Sequence, residues 1–138
     1  MTPQQIRMVQ DSFRNVAPMG AEVADMFYQR LFQLDPSLRP MFSGDMQEQG
    51  RKLITMIGFA VQGLTRLDEL VPQVMELGRR HAGYGVQPSH YDTVAEALLW
   101  TLEQGLGDQF TDPLRAAWTE AYGVLAKTMM AGAQEMAA

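Results

Sequence analysis

The chain has 138 residues, 46% hydrophobic and 20% charged, which is the composition of a soluble globular domain large enough to bury its own core. It has no cysteine, which excludes disulfides, thiolate metal sites and cysteine-borne cofactor attachment. The net charge of −5, with no Lys/Arg run, argues against nucleic-acid binding; no apolar stretch is long enough for a signal segment or a bilayer span, so the expected location is the cytoplasm.

Taken in chain order, nearly every segment reads as helix. Thr2 is the expected cap of a first helix with Pro3 in its first turn, and Ile6, Val9, Phe13 and Val16 recur at helical spacing. A second helix is expected from about Gly20 to Leu34, with Val23, Phe27 and Leu31 as its apolar stripe. Asp35-Pro36 restarts the chain as a short helical turn, which Pro40 shortens and Met41-Phe42-Ser43-Gly44 ends. The next helix, about Asp45 to Leu64, carries Leu53, Met56, Ile57, Ala60, Val61 and Leu64 on one face. Another starts near Asp68 or Pro72 and stops at Arg80-His81-Ala82-Gly83, where basic residues and a glycine are the usual stop signals. After a Gly/Pro loop, Ser89 and Asp92 form the expected capping box of a helix running to about Gly105. Thr111 and Pro113 open the last helix, with Leu114, Trp118, Tyr122, Leu125 and Met129 along it. Strand alternation, internal repeats and linkers are absent from the sequence. The expectation is one all-α domain over residues 1–138, with six longer helices and one short one.

Of the two histidines, His81 continues the stripe of Val74 and Leu77 and so points where core residues point. A buried imidazole needs either a hydrogen-bond partner or a metal, and spacing alone leaves both open. His90 sits in the first turn of a capped helix, where exposure is expected; it is the alternative ligand. Tyr28, four before Phe32, and Gln49, four before Leu53, are polar groups aimed inward, or boundary residues wetting their tips. The eleven methionines read mainly as core filler, with Met56 an alternative iron ligand of a cytochrome-like bundle. Phosphate-binding loops, HExxH and GxSxG are all missing.

The stretch Leu77-Gly78-Arg79-Arg80-His81, followed by Gly85-Val86 and Ser89-His90-Tyr91, resembles the globin family. So do Phe27-Tyr28-Gln29-Arg30-Leu31-Phe32, Pro40-Met41-Phe42, Arg51-Lys52-Leu53 and the run from Ala116 to Val124, in the family's order and spacing along nearly the whole chain. The likeness is narrower still to single-domain bacterial globins related to the haem domain of flavohaemoglobins, and extends to vertebrate neuroglobin. It implies a globin fold around haem b, with His81 as the iron ligand. Phe42, Leu77, Val86, Val94 and Leu98 would contact the haem, and Lys52 and Arg80 would meet its propionates. Leu53 would roof a distal side where Tyr28 and Gln49 face a diatomic gas.

The implied function is reversible, high-affinity oxygen binding. A phenol and an amide donor together would slow oxygen escape more than tenfold at ~1 kcal/mol each. The alternatives are nitric oxide dioxygenation served by a separate reductase, a haem-based gas sensor, or a haem-free helical interaction module. In flavohaemoglobin-type globins a tyrosine and a glutamate polarise the proximal histidine. Tyr91 matches the tyrosine, but Ala133 stands in the glutamate's place, with Glu135 two positions on. That departure implies a less polarised imidazole.

Overall fold

In a computed structural model, residues 1–42 and 44–138 less the last are described, with no account of the side chains of 135–137. The described residues form six α-helices and no strand: α1 (Pro3–Val16), α2 (Gly20–Leu34), α3 (Met46–Gln62), α4 (Leu67–Gly83), α5 (Pro88–Leu106) and α6 (Asp112–Ala137). Short 3-10 turns join them, including Pro36–Met41 between α2 and α3 and Gly63–Arg66 between α3 and α4. This is the expected all-α order. Ser43, placed by the sequence at the end of the short turn, lies outside the described residues.

Local chemistry sets most boundaries. The Thr2 hydroxyl accepts the Gln5 N–H at 3.1 Å, while the Gln5 amide oxygen accepts the Thr2 N–H at 2.9 Å, closing a capping box on α1. Asp45 caps α3 by accepting the Gln47 N–H at 2.9 Å. The expected Ser89–Asp92 box on α5 does not form. The helix starts at Pro88, two residues earlier than that box would allow, and Gln87 is the capping residue. His90 Nδ1 accepts the Gln87 N–H at 2.9 Å, and the His90 N–H returns to the Gln87 carbonyl at the same distance. Proline at the first helical position, whose missing N–H costs nothing there, decides this start.

Two apolar clusters fill the interior. One gathers Val9, Val16, Leu102, Leu114 and Trp118 where α1, α5 and α6 meet. Its single indole donor is satisfied across helices: Trp118 Nε1 donates to Ser12 Oγ at 2.9 Å, and Ser12 Oγ donates to the Val9 carbonyl at 2.9 Å. The second cluster joins Phe27, Tyr28, Leu31, Leu38 and Ala97, with Phe42, Leu53, Val94 and Leu98 half-buried against it. Met56 does not join either: it is 40% exposed, so the apolar face expected of α3 is narrower than the sequence pattern suggested.

Glycines bring two pairs of helices into close approach. A Cβ at Gly78 would overlap the Met129 carbonyl, and one at Gly132 would overlap the Met75 carbonyl, so α4 and α6 cross almost backbone to backbone. A Cβ at Gly50 would stand 2.9 Å from the Ala24 Cβ, which marks the crossing of α2 and α3. Gly78→Ala must therefore push α4 off α6 and is expected to cost about 1–3 kcal/mol, the range for overpacking. Gly123→Ala, with nothing within 4 Å of the added methyl, is expected to stabilise α6 by about 0.5–1 kcal/mol. Thermal unfolding followed by circular dichroism reads both, and equal signs for the two variants would contradict the crossing geometry.

Candidate functional site

The candidate residues fall in two groups, one on α2, α3 and the Pro36–Met41 turn, the other at the end of α4 and the start of α5. On the first side, Ala24 and Tyr28 are one turn apart on α2, and the Ala24–Gly50 approach sets Tyr28 opposite Gln49. Tyr28 is 8% exposed, and its hydroxyl donates to the Gln49 backbone carbonyl at 3.4 Å, a long bond. The Gln49 side chain is half-buried at the same place.

Tyr28 is held mainly by aromatic packing. Phe42 meets it edge-on at 5.3 Å between ring centroids, Phe27 at 5.2 Å, and Phe32 stacks on it at 6.1 Å. Phe32 and Phe42 also touch each other, at 5.5 Å. Such pairs add about 0.5–1.5 kcal/mol each beyond the area they bury. Burial pushes the Tyr28 phenol up to about 12, so it remains a protonated donor throughout the neutral range.

On the second side, His81 is half-buried near the C-terminal end of α4, with its Nδ1 2.8 Å from the Leu77 carbonyl oxygen. A carbonyl only accepts, so the proton sits on Nδ1 and the lone pair on Nε2. The Val86 N–H donates to the His81 carbonyl at 3.1 Å and folds the next turn back over the helix end. That turn contains Gly85 at φ +93°, a left-handed conformation suited to glycine. Met41 Cε approaches Gly85, so the Pro36–Met41 turn meets the α4–α5 turn at the rim.

The sequence-derived residues are not all in one place. Tyr28, Phe42, Leu53, Val94 and Leu98 share one apolar cluster, with Gln49 beside Tyr28. Leu77, His81 and Val86 form a second, hydrogen-bonded group. Lys52 is exposed in a shallow surface depression with Glu48, Arg51, Thr55 and Met56. Arg80 is exposed, with its Nε 3.9 Å from Glu76.

Tyr91 is half-buried, and burial raises its phenol; its backbone carbonyl accepts the Tyr122 hydroxyl at 2.7 Å, anchoring α5 on α6. The side chain of Glu135 lies outside the described residues, and Ala133 is half-buried. His90 spends its Nδ1 on the α5 cap. Phe32 was not singled out from the sequence as a site residue, although its i+4 spacing from Tyr28 was the available signal. Arg39, whose guanidinium lies 5.4 Å from the Phe32 ring centre, gave no sequence signal at all.

The donor set suits a haem iron. It offers one imidazole whose Nδ1 is tied to a backbone carbonyl. A bare metal ion has no comparable place, since no three His, Asp or Glu side chains gather among the described residues.

A globin family model matches residues 25–129. The flavohemoprotein of Vibrio cholerae is 29% identical over 94% of the chain, and that of Xylella fastidiosa 29% over 93%. The chain spans about a third of the length of these relatives, 34% and 33%. Among solved structures, a bacterial globin from Campylobacter jejuni superposes with a TM-score of 0.85 at 26% identity, covering 98% of both chains. An engineered carbene transferase of Rhodothermus marinus origin superposes at 0.87 over 99% of this chain and 95% of its own, and at 24% identity it speaks for the fold alone.

The raised Tyr28 phenol makes stability fall at alkaline pH. Between pH 10 and about 12 the unfolded chain loses this proton while the folded one keeps it. Folding then grows less favourable as pH rises, by at most about 3 kcal/mol from this group. Urea unfolding across that window is expected to show a shallower decline for Tyr28→Phe than for the parent chain, and identical slopes would speak against a buried neutral phenol.

Proposed function

The chain belongs to the globin family, and from that premise we propose that it is a single haem-b domain of the cytoplasm that binds oxygen, and other diatomic gases, reversibly and with high affinity. The observation that carries this reading is the 2.8 Å approach of His81 Nδ1 to the Leu77 carbonyl. It leaves Nε2 as a lone-pair donor of fixed orientation, and His81 is the residue assigned to the iron. When bound, the haem iron supplies an open coordination position for a diatomic gas.

The remaining work falls to the chain. Phe42, Leu53, Leu77, Val86, Val94 and Leu98, each half-buried, are assigned to the haem faces, where their hydrocarbon would exclude water and strengthen the hydrogen bonds made inside. Tyr28 would donate its phenol O–H as a hydrogen bond to a diatomic gas held there, and the Gln49 amide would be a second donor. The 3.4 Å bond from Tyr28 to the Gln49 carbonyl is weak enough to be exchanged for a ligand. The Leu77 carbonyl is a neutral acceptor, so His81 keeps its Nδ1 proton and pushes less electron density than a carboxylate-bonded imidazole would. That favours holding oxygen over cleaving it. Lys52 and Arg80, exposed and flexible, are assigned to the propionates.

A second reading is favoured by the flavohemoprotein relatives, of which this chain matches only about a third. It is dioxygenation of nitric oxide to nitrate, with a separate reductase returning the electron spent in each turnover. Sustained nitric oxide consumption with such a reductase distinguishes it from simple binding. Among the described residues no helix is long and apolar enough to cross a membrane, and no membrane partner is proposed.

An absorption spectrum is the first test: a Soret band that appears on haem addition and is lost or displaced in His81→Ala. Its absence in the parent chain would sink the haem reading and leave a helical interaction module. Stopped-flow oxygen dissociation is the second. Losing one donor of ~1 kcal/mol is expected to make Tyr28→Phe release oxygen about fivefold faster or more. A variant as slow as the parent would remove the phenol from the account.

A further inference from the structure

Arg39 lies in the exposed Pro36–Met41 turn, yet its guanidinium makes three contacts with the wall of the site. It sits 5.4 Å over the centre of Phe32. Its Nη1 lies 3.5 Å from the Phe42 carbonyl and 3.9 Å from Met46 Sδ, the first residue of α3. The Arg39 carbonyl in turn accepts the Phe42 N–H at 3.1 Å, so one residue touches the backbone on both sides of the Phe42 ring.

No carboxylate pairs with Arg39 among the described residues, unlike Arg14, Arg79, Arg80 and Arg115. Its charge is directed to a ring face, a carbonyl and a thioether. A planar cation can address all three at once, because the fork donates in its plane while its face lies on an aromatic ring. Each contact is weak, and together they link Phe32, Phe42 and α3, which with Phe27 are neighbours of the Tyr28 side chain.

We propose that Arg39 is a positioning residue for gas binding, clamping Phe32 and Phe42 so that the Tyr28 phenol is held where a ligand can accept its proton. The proposal rests on the function proposed above, because it takes Tyr28 as the donor. Arg39 is assigned no direct contact with the gas; its guanidinium contacts are Phe32, the Phe42 carbonyl and Met46. It acts by narrowing the range of Tyr28 orientations, and its removal raises the rate of ligand escape through Tyr28 alone.

Three readings test it together. In haem-loaded protein, Arg39→Ala is expected to release oxygen about three- to tenfold faster, with the C–O stretch of the carbon monoxide form shifted or split into several bands. Arg39→Lys, which keeps a cation over Phe32 but loses the planar fork, recovers part of the rate. In a Tyr28→Phe background the same Arg39→Ala change alters the rate by less than about twofold, because the donor it positions is gone.

The third reading needs no haem. In the protein as purified, the ring signal of carbon-13-labelled Tyr28, assigned by its loss in Tyr28→Phe, carries ring-current shifts from Phe32 and Phe42. It is expected to move toward that of an exposed tyrosine in Arg39→Ala. An unchanged off-rate and ring signal in Arg39→Ala overturn the proposal, as does an effect fully additive with Tyr28→Phe. A lower melting temperature with the Tyr28 signal unmoved also overturns it, since that is mere structural support. Should Arg39→Ala not fold, Arg39→Gln and Arg39→Lys are read in the same way. If the parent chain takes up no haem, the proposed function fails on its own, and the ring signal still decides whether Arg39 positions Tyr28.

Discussion

The backbone-close crossing of α4 and α6 is the constraint on which the placement of His81 depends. At Gly78 and Gly132 each helix presents bare backbone to the other's carbonyl, and no side chain is interposed to adjust the spacing. His81 follows Gly78 by three residues on the same helix, so this contact sets the height at which the imidazole stands. The i−4 carbonyl of Leu77 then fixes the ring's rotation. Position comes from packing between helices, orientation from one hydrogen bond within a helix. Neither depends on an ionised partner.

The opposite wall is built on a different principle. The Ala24–Gly50 contact brings α2 and α3 together, but the Tyr28 ring is placed by aromatic neighbours rather than by a strong hydrogen bond. Aromatic edges and faces restrain a ring in two dimensions while leaving its hydroxyl free to choose an acceptor. A donor held by its ring and only weakly by its oxygen can meet an incoming ligand at little cost. The rigid side thus carries the imidazole, and the adaptable side carries the donors.

Chemistry local to one helix was readable from the sequence. The Thr2 cap with Pro3 behind it, the boundaries of α2 and the stop signals around Arg80 and Gly83 all depend on residues within one turn of each other. The start of α5 was misread because Ser89 and Asp92 satisfy the same pattern as a true box, whereas Pro88 and Gln87 begin the helix sooner. Met56 was misplaced for a related reason. Spacing says which residues share a face of α3, but not how wide a strip of that face another helix covers.

By itself the sequence determined an all-α chain and the order of its helices, and its stretches of likeness pointed to the globin family. The helices follow from periodicity and capping, which are properties of neighbouring residues. Only the tertiary structure decided that His81 takes its orienting bond from Leu77, that Phe32 and Phe42 enclose Tyr28, and that Arg39 caps them from the surface. A histidine has several acceptors within reach of its helix, and an arginine several rings within reach of its stem. Which one it meets is settled by how closely the helices cross, and in this chain the glycines at the crossings allow that distance.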